Sequence, residues 1–309
     1  MIDFKEVYIE DKLWIDPLFK TIKNSGSHQN FANIFTWAKI TGMRVANING
    51  YLAVKSGKGK RQGYHFPVGT GDIKLVIDEL MHDAKECGHD FIFYALTKDN
   101  IALLDSIYPG YFTYKPVRDA YDYVYLIDKM VSLSGKKLHA KRNHINYFLK
   151  NHQWSFEPIT PDNIDECKQM NEEWCKQENC SDEDGLKREN CATRRYFKYY
   201  DDLGVEGGII RAEGKVIAFT IGELLNTDTY IIHLEKAFKN IQGAYQMINR
   251  EFASHIKEKY PDLIWINREE DMGYAGLRKA KESYYPDKMV EKFRGMLIKD
   301  SGVSKDKDL

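Results

Sequence analysis

Gly207-Gly208-Ile209-Ile210-Arg211-Ala212, then Glu213-Gly214, then Lys215-Val216-Ile217-Ala218-Phe219-Thr220-Ile221-Gly222-Glu223-Leu224-Leu225 reads as a β-hairpin closed by a Gly-containing turn. Asn226-Thr227-Asp228 makes a second turn, and a third strand runs from Thr229 to Lys236. The loop from Ala237 to Gln242 leads into a helix beginning near Gly243, in which Ala244, Met247, Ile248, Phe252 and Ile256 recur at helical spacing until Pro261 stops the run. Antiparallel strands that end in a short loop and a helix place backbone N–H groups, with the positive end of the helix dipole, at one edge of a sheet. A phosphate is held favourably there. The candidate cradle is Ala237-Phe238-Lys239-Asn240-Ile241-Gln242-Gly243-Ala244, whose small residues at 243 and 244 let a pyrophosphate approach the backbone. A junction that binds nothing is the other reading of the same residues.

This order of elements resembles the core of the GCN5-related N-acetyltransferase (GNAT) superfamily, whose loop after the fourth strand reads Gln/Arg-x-x-Gly-x-Gly/Ala. The register here is Lys239-x-x-Gln242-x-Ala244, with Gln in place of the first Gly. The resemblance implies an α+β fold of mixed, mostly antiparallel sheets flanked by helices. It also implies an acyl-CoA site formed by Lys239, Asn240, Gln242, Gly243 and Ala244.

With 309 residues the chain has room for two domains, each able to bury its own core. Hydrophobic residues at 43% and charged residues at 29% describe a globular protein, and a formal net charge of −1 gives no global field to draw in nucleic acid or an anionic membrane. No apolar run approaches the ~20 residues that cross a bilayer, and the N-terminus lacks the basic-then-apolar order of a signal peptide. The expected location is cytoplasmic. Five cysteines without a C-x-x-C spacing write neither a disulfide framework nor a zinc site, so no metal is expected.

Asn49-Gly50, between Met43–Ile48 and Tyr51–Lys55, is a second hairpin signal. Hairpin, strand, helix, strand, helix and strand pair follow it in nearly the order seen again after residue 205, which reads as two tandem domains, 1–130 and 131–309, with a basic helix, 134–152, at the seam. Lys136 to His144 packs four Lys/Arg and two His into nine residues. This run is either a solvated helix face or a contact for phosphate or a lipid headgroup. Ser181 to Gly185 reads as an acidic loop and Lys299 to Leu309 as a charged tail.

Two blocks carry a closer resemblance. They are Leu133-Ser134-Gly135-Lys136-Lys137-x-His139-x-Lys141-Arg142-Asn143-His144-Ile145-Asn146-x-Phe148 and Trp265-Ile266-Asn267-Arg268-Glu269-Glu270-Asp271-Met272-Gly273-Tyr274-Ala275-Gly276-Leu277-Arg278-Lys279-Ala280-Lys281-x-Ser283-Tyr284-x-Pro286. Both resemble the soluble catalytic region of phosphatidylglycerol lysyltransferases and their cytosolic relatives, a tandem GNAT-like family. The resemblance implies acyl or aminoacyl transfer from a phosphorylated donor, acyl-CoA or aminoacyl-tRNA, to an amine or hydroxyl of a small molecule or lipid headgroup. A non-catalytic protein that binds a nucleotide or aminoacyl ligand on the same fold is the alternative.

Transfer to an amine needs a held carbonyl, a base and an acid for the leaving group. Glu235, at the end of the third strand, is the first choice for the base and His233 the second, since alternation along a regular strand puts both on one face. Either acts as base, or Glu235 pairs with a nearby Lys or Arg. Tyr284 or Tyr285 matches the position where GNAT-like enzymes keep a tyrosine that protonates the departing thiolate, and Tyr284 is the one taken as the candidate. Lys137, Lys141, Arg142 and Asn143 of the basic helix, with Asn267, Glu269, Asp271, Arg278 and Lys281 of the second block, are the candidate substrate contacts.

Overall fold

The computed structural model describes residues 1–22, 26–180 and 184–298; the charged tail and most of the expected acidic loop lie outside them. In chain order the strands of the first part are β1 (Lys5–Glu6), β2 (Arg44–Ile48), β3 (Tyr51–Ser56), β4 (Gly63–His65), β5 (Ile92–Leu96), β6 (Phe112–Pro116) and β7 (Asp122–Leu126). They are followed by β8 (Trp154–Pro158), β9 (Glu206–Ala212), β10 (Lys215–Leu224), β11 (Thr229–Ala237), β12 (Trp265–Asn267), β13 (Lys288–Val290) and β14 (Phe293–Leu297). The helices are α1 (Lys12–Phe19), α2 (Phe31–Thr41), α3 (Ile73–Glu86), α4 (Lys98–Ile107), α5 (Ile127–Ser132), α6 (His139–Asn151), α7 (Ile164–Gln177), α8 (Asp184–Lys198), α9 (Tyr200–Leu203), α10 (Ala244–Lys259) and α11 (Ala275–Glu282).

Both expected hairpins form, and both close through two residues of positive φ: Asn49 and Gly50 at 50° and 86°, Glu213 and Gly214 at 50° and 78°. That is the turn whose twist matches paired strands. The strands build two seven-stranded sheets, ordered β1-β2-β3-β4-β5-β14-β6 and β8-β9-β10-β11-β12-β7-β13. Each is antiparallel except at one parallel pair, β4 with β5 and β11 with β12, bridged by α3 and α10 respectively. The two orders correspond strand for strand. Each sheet takes its sixth strand from the other side of residue 130: β7 lies in the second sheet and β14 in the first. No single cut of the chain therefore separates the sheets.

One apolar core runs from α1 and α2 through the second sheet to α10, and a second lies between the first sheet and α3 and α4. Where the sheets meet, a cluster of charged groups is paired. Buried Lys292, in the link from β13 to β14, donates to Asp122 Oδ1 at 2.6 Å and Ser27 Oγ at 2.7 Å and lies 3.3 Å from Glu270 Oε2. Asp122 also accepts from the Ser27 backbone N–H at 2.7 Å and from Asn267 Nδ2 at 3.2 Å. Burial opposes the Lys292 charge, but Asp122 and Glu270 outweigh it and hold the ammonium up to about 12. His28 and His65 pack beside this cluster with ring centres 6.0 Å apart. Burial, helped by Lys292, pushes both below the ordinary histidine value, His65 to about 4.

Replacing Lys292 by Met leaves Asp122 buried without its cation and is expected to lower stability by about 3–5 kcal/mol. Lys292→Met combined with Asp122→Asn is expected to lose less. Urea denaturation followed by tryptophan fluorescence measures both, and a Lys292→Met protein as stable as the parent refutes the assignment. Because the two histidines bind a proton more weakly folded than unfolded, stability is expected to fall as pH drops from 6.5 towards 4. The same denaturation run at several pH values checks it, and His65→Phe should flatten that slope.

Candidate active site

β11 and β12 run parallel only as far as the pair Ile231 and Asn267, and beyond it they part. β11 continues to Ala237 while the chain after β12 turns away through Arg268 and Glu269, the latter at φ 56°. Side chains from both sides fill the gap. The β10–β11 register shifts inside it: Ile221 faces Leu234, but Gly222 faces Ile232, so His233 is the extra residue of a β-bulge. The bulge resets the alternation, and the expectation that His233 and Glu235 share a face fails for this reason. His233 stacks on Tyr196 of α8, with ring centres 5.1 Å apart, whereas Glu235 points to α10, where Asn249 Nδ2 donates to its Oε2 at 2.9 Å.

On the α8 face, His233 Nδ1 lies 2.8 Å from Glu269 Oε1 and Nε2 lies 3.0 Å from Glu223 Oε1. Asn33 of α2 donates to Glu269 at 2.7 Å and accepts from the Tyr196 hydroxyl at 3.0 Å, which ties this group to the N-terminal half. Burial opposes every charge here and pushes Glu269 up, yet two carboxylates on one imidazole raise His233 to about 9. Both ring nitrogens are engaged and the ring is an imidazolium at neutral pH, so it is not placed as a base.

On the α10 face, Arg268 Nη2 donates to Glu235 Oε1 at 2.7 Å, so Glu235 has the cationic partner that was the alternative to a catalytic role. The Arg268 guanidinium lies 5.2 Å from the centre of the Tyr284 ring and 5.8 Å from that of Tyr125. Its Nη1 and the Oδ1 of Asn249 are buried without hydrogen-bond partners. Lys141, from α6, reaches the same corner, 4.2 Å from the Tyr284 ring centre and 2.6 Å from Ser283 Oγ. Burial, then Arg268, pushes its ammonium below the usual lysine value. Tyr284 is buried, and burial pushes its hydroxyl above the usual tyrosine value, against the pull of Arg268, so it stays protonated. Lys141, Arg268, Tyr284, Glu235 and Asn249 thus form one corner in which polar atoms are left to bind something. Arg268 and Asn249 were not read from the sequence; the run Asn267-Arg268-Glu269-Glu270-Asp271 was, but only its amide and carboxylates were singled out.

The other expected contacts bind the protein itself. Lys281 is buried and donates to the carbonyls of Arg268, Glu269 and Glu270 at 2.5, 3.2 and 2.5 Å, fixing the segment that carries the corner; burial lowers it to about 8. Asn267 accepts from the Glu269 backbone N–H at 2.7 Å. Asp271 takes both Nε and Nη2 of Arg278, at 2.8 and 2.9 Å, and the Tyr123 hydroxyl at 2.5 Å. Arg142 donates to the carbonyls of Leu133 and Gly135, and Asn143 Nδ2 lies 3.3 Å from His139 Nδ1. Lys137 is exposed, with its ammonium 5.2 Å from the centre of the Tyr285 ring.

At the expected donor loop, α6 crosses the start of α10. A Cβ on Gly243 would stand 2.5 Å from the His144 carbonyl oxygen, so glycine is needed there for the helix crossing and for φ 93°. The Gly243 face expected to meet a pyrophosphate is therefore occupied by α6. Ala244 is buried, Lys239 forms an ion pair with Glu178 at the C-terminal cap of α7, and Gln242 Nε2 lies 3.5 Å from His144 Nδ1. Asn240 is exposed on the loop. Two surface clefts of about 300 and 380 Å³ lie elsewhere, one along α7 and α9 and one beside the N-terminus and α3. Asp83, Cys87 and His89 come together as a potential ligand trio, but Lys55 already donates to Asp83 at 2.7 Å.

Since His233 binds its proton more tightly in the folded chain, the stabilisation is present below pH 6.5 and is lost as pH rises through about 9. Denaturation midpoints are expected to fall across that window, by up to roughly 3 kcal/mol in stability, and His233→Gln should abolish this slope. An unchanged slope in the variant overturns the charged-histidine reading.

The sequence profile of the family described as "Phosphatidylglycerol lysyltransferase, C-terminal" matches residues 19–295. Among solved structures, a conserved protein of unknown function from Bacteroides thetaiotaomicron is 39% identical with a TM-score of 0.89, over 96% of this chain and 100% of that one. The C-terminal domain of a putative lysylphosphatidylglycerol synthetase from Agrobacterium fabrum follows at 15% identity and TM-score 0.66, over 93% and 91%. A tandem GNAT protein of the clavulanic acid biosynthesis pathway superposes at 7% identity and TM-score 0.51, over 98% and 100%. The fold is thus the α+β, tandem GNAT-like one. The chain spans about half the length (54%) of the curated relative it matches, an uncharacterised protein of Mycoplasmoides gallisepticum that is 22% identical over 176 residues, 56% of this chain. No helix among the described residues is long and apolar enough to cross a membrane. The chain belongs to the phosphatidylglycerol lysyltransferase C-terminal family.

Proposed function

We propose that the chain is an aminoacyltransferase that moves an aminoacyl group from aminoacyl-tRNA to an amine or hydroxyl of a small molecule or lipid headgroup, at the corner formed by Lys141, Arg268, Tyr284 and Glu235. The carrying observation is the partly unpaired cationic corner, with buried Arg268 Nη1 unbonded and Lys141 reaching it from a helix whose His139, His144 and Lys150 are exposed. In the reaction the acceptor nitrogen or oxygen attacks the ester carbonyl carbon, and the electron pair moves onto the carbonyl oxygen. Lys141 and Arg268 Nη1 hydrogen-bond that oxygen as it becomes negative. Collapse expels the ribose oxygen, which takes the Tyr284 proton, while the acceptor's proton passes to Glu235 directly or through water. Both oxygen charges are then quenched and the enzyme is restored when Glu235 returns a proton to Tyr284.

Aminoacyl-tRNA is favoured over acyl-CoA because α6 covers the Gly243 backbone that a pyrophosphate would approach, while Lys136, Lys137, His139 and His144 stay exposed beside the corner. A second reading, a binding protein without turnover, is favoured by the pairing of Glu235 with Arg268 and the locking of His233. Incubating the protein with tRNA charged with a labelled amino acid, or with labelled acyl-CoA, and a panel of amines and polyols separates these readings. The expected result is label transfer from the tRNA. Lys141→Ala and Tyr284→Phe are expected to slow it by about 10²–10³-fold without unfolding the chain. A rise in melting temperature with charged tRNA but no transfer establishes the binding reading instead, and a response to acyl-CoA alone overturns the donor assignment.

A further inference from the structure

The end of α7 brings two thiols together. Asn179, at φ 52°, reverses the chain after the helix, and the Cys180 backbone N–H donates to the Cys175 carbonyl at 3.0 Å. This six-residue bond is the Schellman closure of a helix, in which the side chains at the first and last positions of the ring lie against each other, usually as an apolar contact. Here both positions are cysteines, with Cys180 buried, Cys175 partly exposed and the Cys175 side chain close enough to act on the Cys180 thiol. Lys236, on the face of β11 that meets α7, lies 4.0 Å from the Trp174 ring centre and 3.2 Å from Glu189; burial, then Cys175, pushes the Cys180 thiol up to about 12, with the Lys236 ammonium opposing, so Cys175 is the first nucleophile.

We propose that Cys175 and Cys180 are a redox modification site, forming a reversible disulfide across the Schellman turn. With a low-molecular-weight disulfide as oxidant, the Cys175 thiolate attacks one of its sulfurs and expels one thiolate. Cys180 then gives its proton to water, attacks the Cys175 sulfur and expels the second. Two protein thiols are oxidised and one disulfide is reduced to two thiols. The helix turn has already brought the side chains together, so closure needs side-chain rotation within a short ring and no helix has to unwind. That ring contains Glu178, whose carboxylate holds Lys239 of the 239–244 loop, and it follows Trp174, whose Nε1 donates to the Ala237 carbonyl at 3.1 Å. Oxidation therefore acts on the turn that braces this loop.

The test is to incubate the full chain with oxidised glutathione, quench with acid, alkylate free thiols and map tryptic peptides. Cleavage after Lys176 separates the two cysteines, so the expected product is Gln169–Lys176 disulfide-linked to Gln177–Lys187, removed by dithiothreitol. Cys191→Ser, at an exposed site on α8, should leave the linkage unchanged. Cys175→Ser should abolish it and leave Cys180 alkylatable only after denaturation. Recovery of both peptides unlinked, a glutathione adduct that stays on Cys175, or linkage of Cys180 to Cys167 overturns the proposal. The outcome does not depend on the transfer reading, since it is read by mass alone.

Discussion

The Lys292–Asp122 pair is what the rest of the arrangement depends on. Lys292 sits between β13 of the second sheet and β14 of the first, at the point where the chain crosses from one sheet to the other, and Asp122 opens β7, the strand lent in the opposite direction. A buried ion pair is poor as a source of net stability, because removing two charges from water offsets much of their attraction. What it does supply is register. An ammonium with Asp122, Ser27 and Glu270 around it fits in one place, and the strand exchange, the start of α2 and the segment after β12 are all set by that fit. An apolar contact at the same point would tolerate sliding.

From that anchor the site follows in two steps. Glu270 and Asn267 bind into the anchor, and Lys281 gathers the carbonyls of residues 268 to 270, so the short segment between is held without regular secondary structure. Alternation along that segment sends Arg268 to one face and Glu269 to the other, matching the bulge that sends Glu235 and His233 to opposite faces of β11. The two pairings, Arg268 with Glu235 and His233 with Glu269, are then the same arrangement met from each side of the sheet. One side is closed, its imidazolium fully engaged and backed by Asn33 and Tyr196. The other keeps a guanidinium nitrogen and an amide oxygen without partners, and polar atoms left bare in a buried corner are expected where a ligand completes them.

Local signals in the sequence carried much of this. The turns at Asn49-Gly50 and Glu213-Gly214 define their hairpins because φ > 0 is needed at both positions, and the amphipathic run from Ala244 is a helix for the reason its spacing gives. Partner choice was not local. β7 falls in the strand pair expected before residue 130 and β14 was not read as a strand; nothing within either says that it joins the farther sheet, and pairs such as Lys292 with Ser27 span 265 positions. The bulge had a signal that was passed over: Gly222 interrupts an otherwise apolar strand, and a Cβ there would stand 2.2 Å from the Ile231 carbonyl oxygen. Gly243 was read as room for a pyrophosphate when its room is taken by a helix. The cysteines were passed over because C-x-x-C was sought, while a helix ending at a left-handed Asn brings C-x-x-x-x-C together.

The crossing of α6 over α10 also bears on the kind of donor recognition that the proposed transfer would use. If the α10 N-terminus were open, backbone amides and the helix dipole would hold phosphate at fixed geometry and with little dependence on salt. With α6 laid across Gly243, the charges a donor meets first are the exposed side chains of α6 itself, long and solvated. Contacts of that kind attract at a distance, position loosely and weaken steeply as salt screens them. Under the proposed transfer, discrimination falls to the corner itself, where Lys141 and Arg268 lie against the Tyr284 ring and an acceptor oxygen of the donor completes the unbonded guanidinium nitrogen.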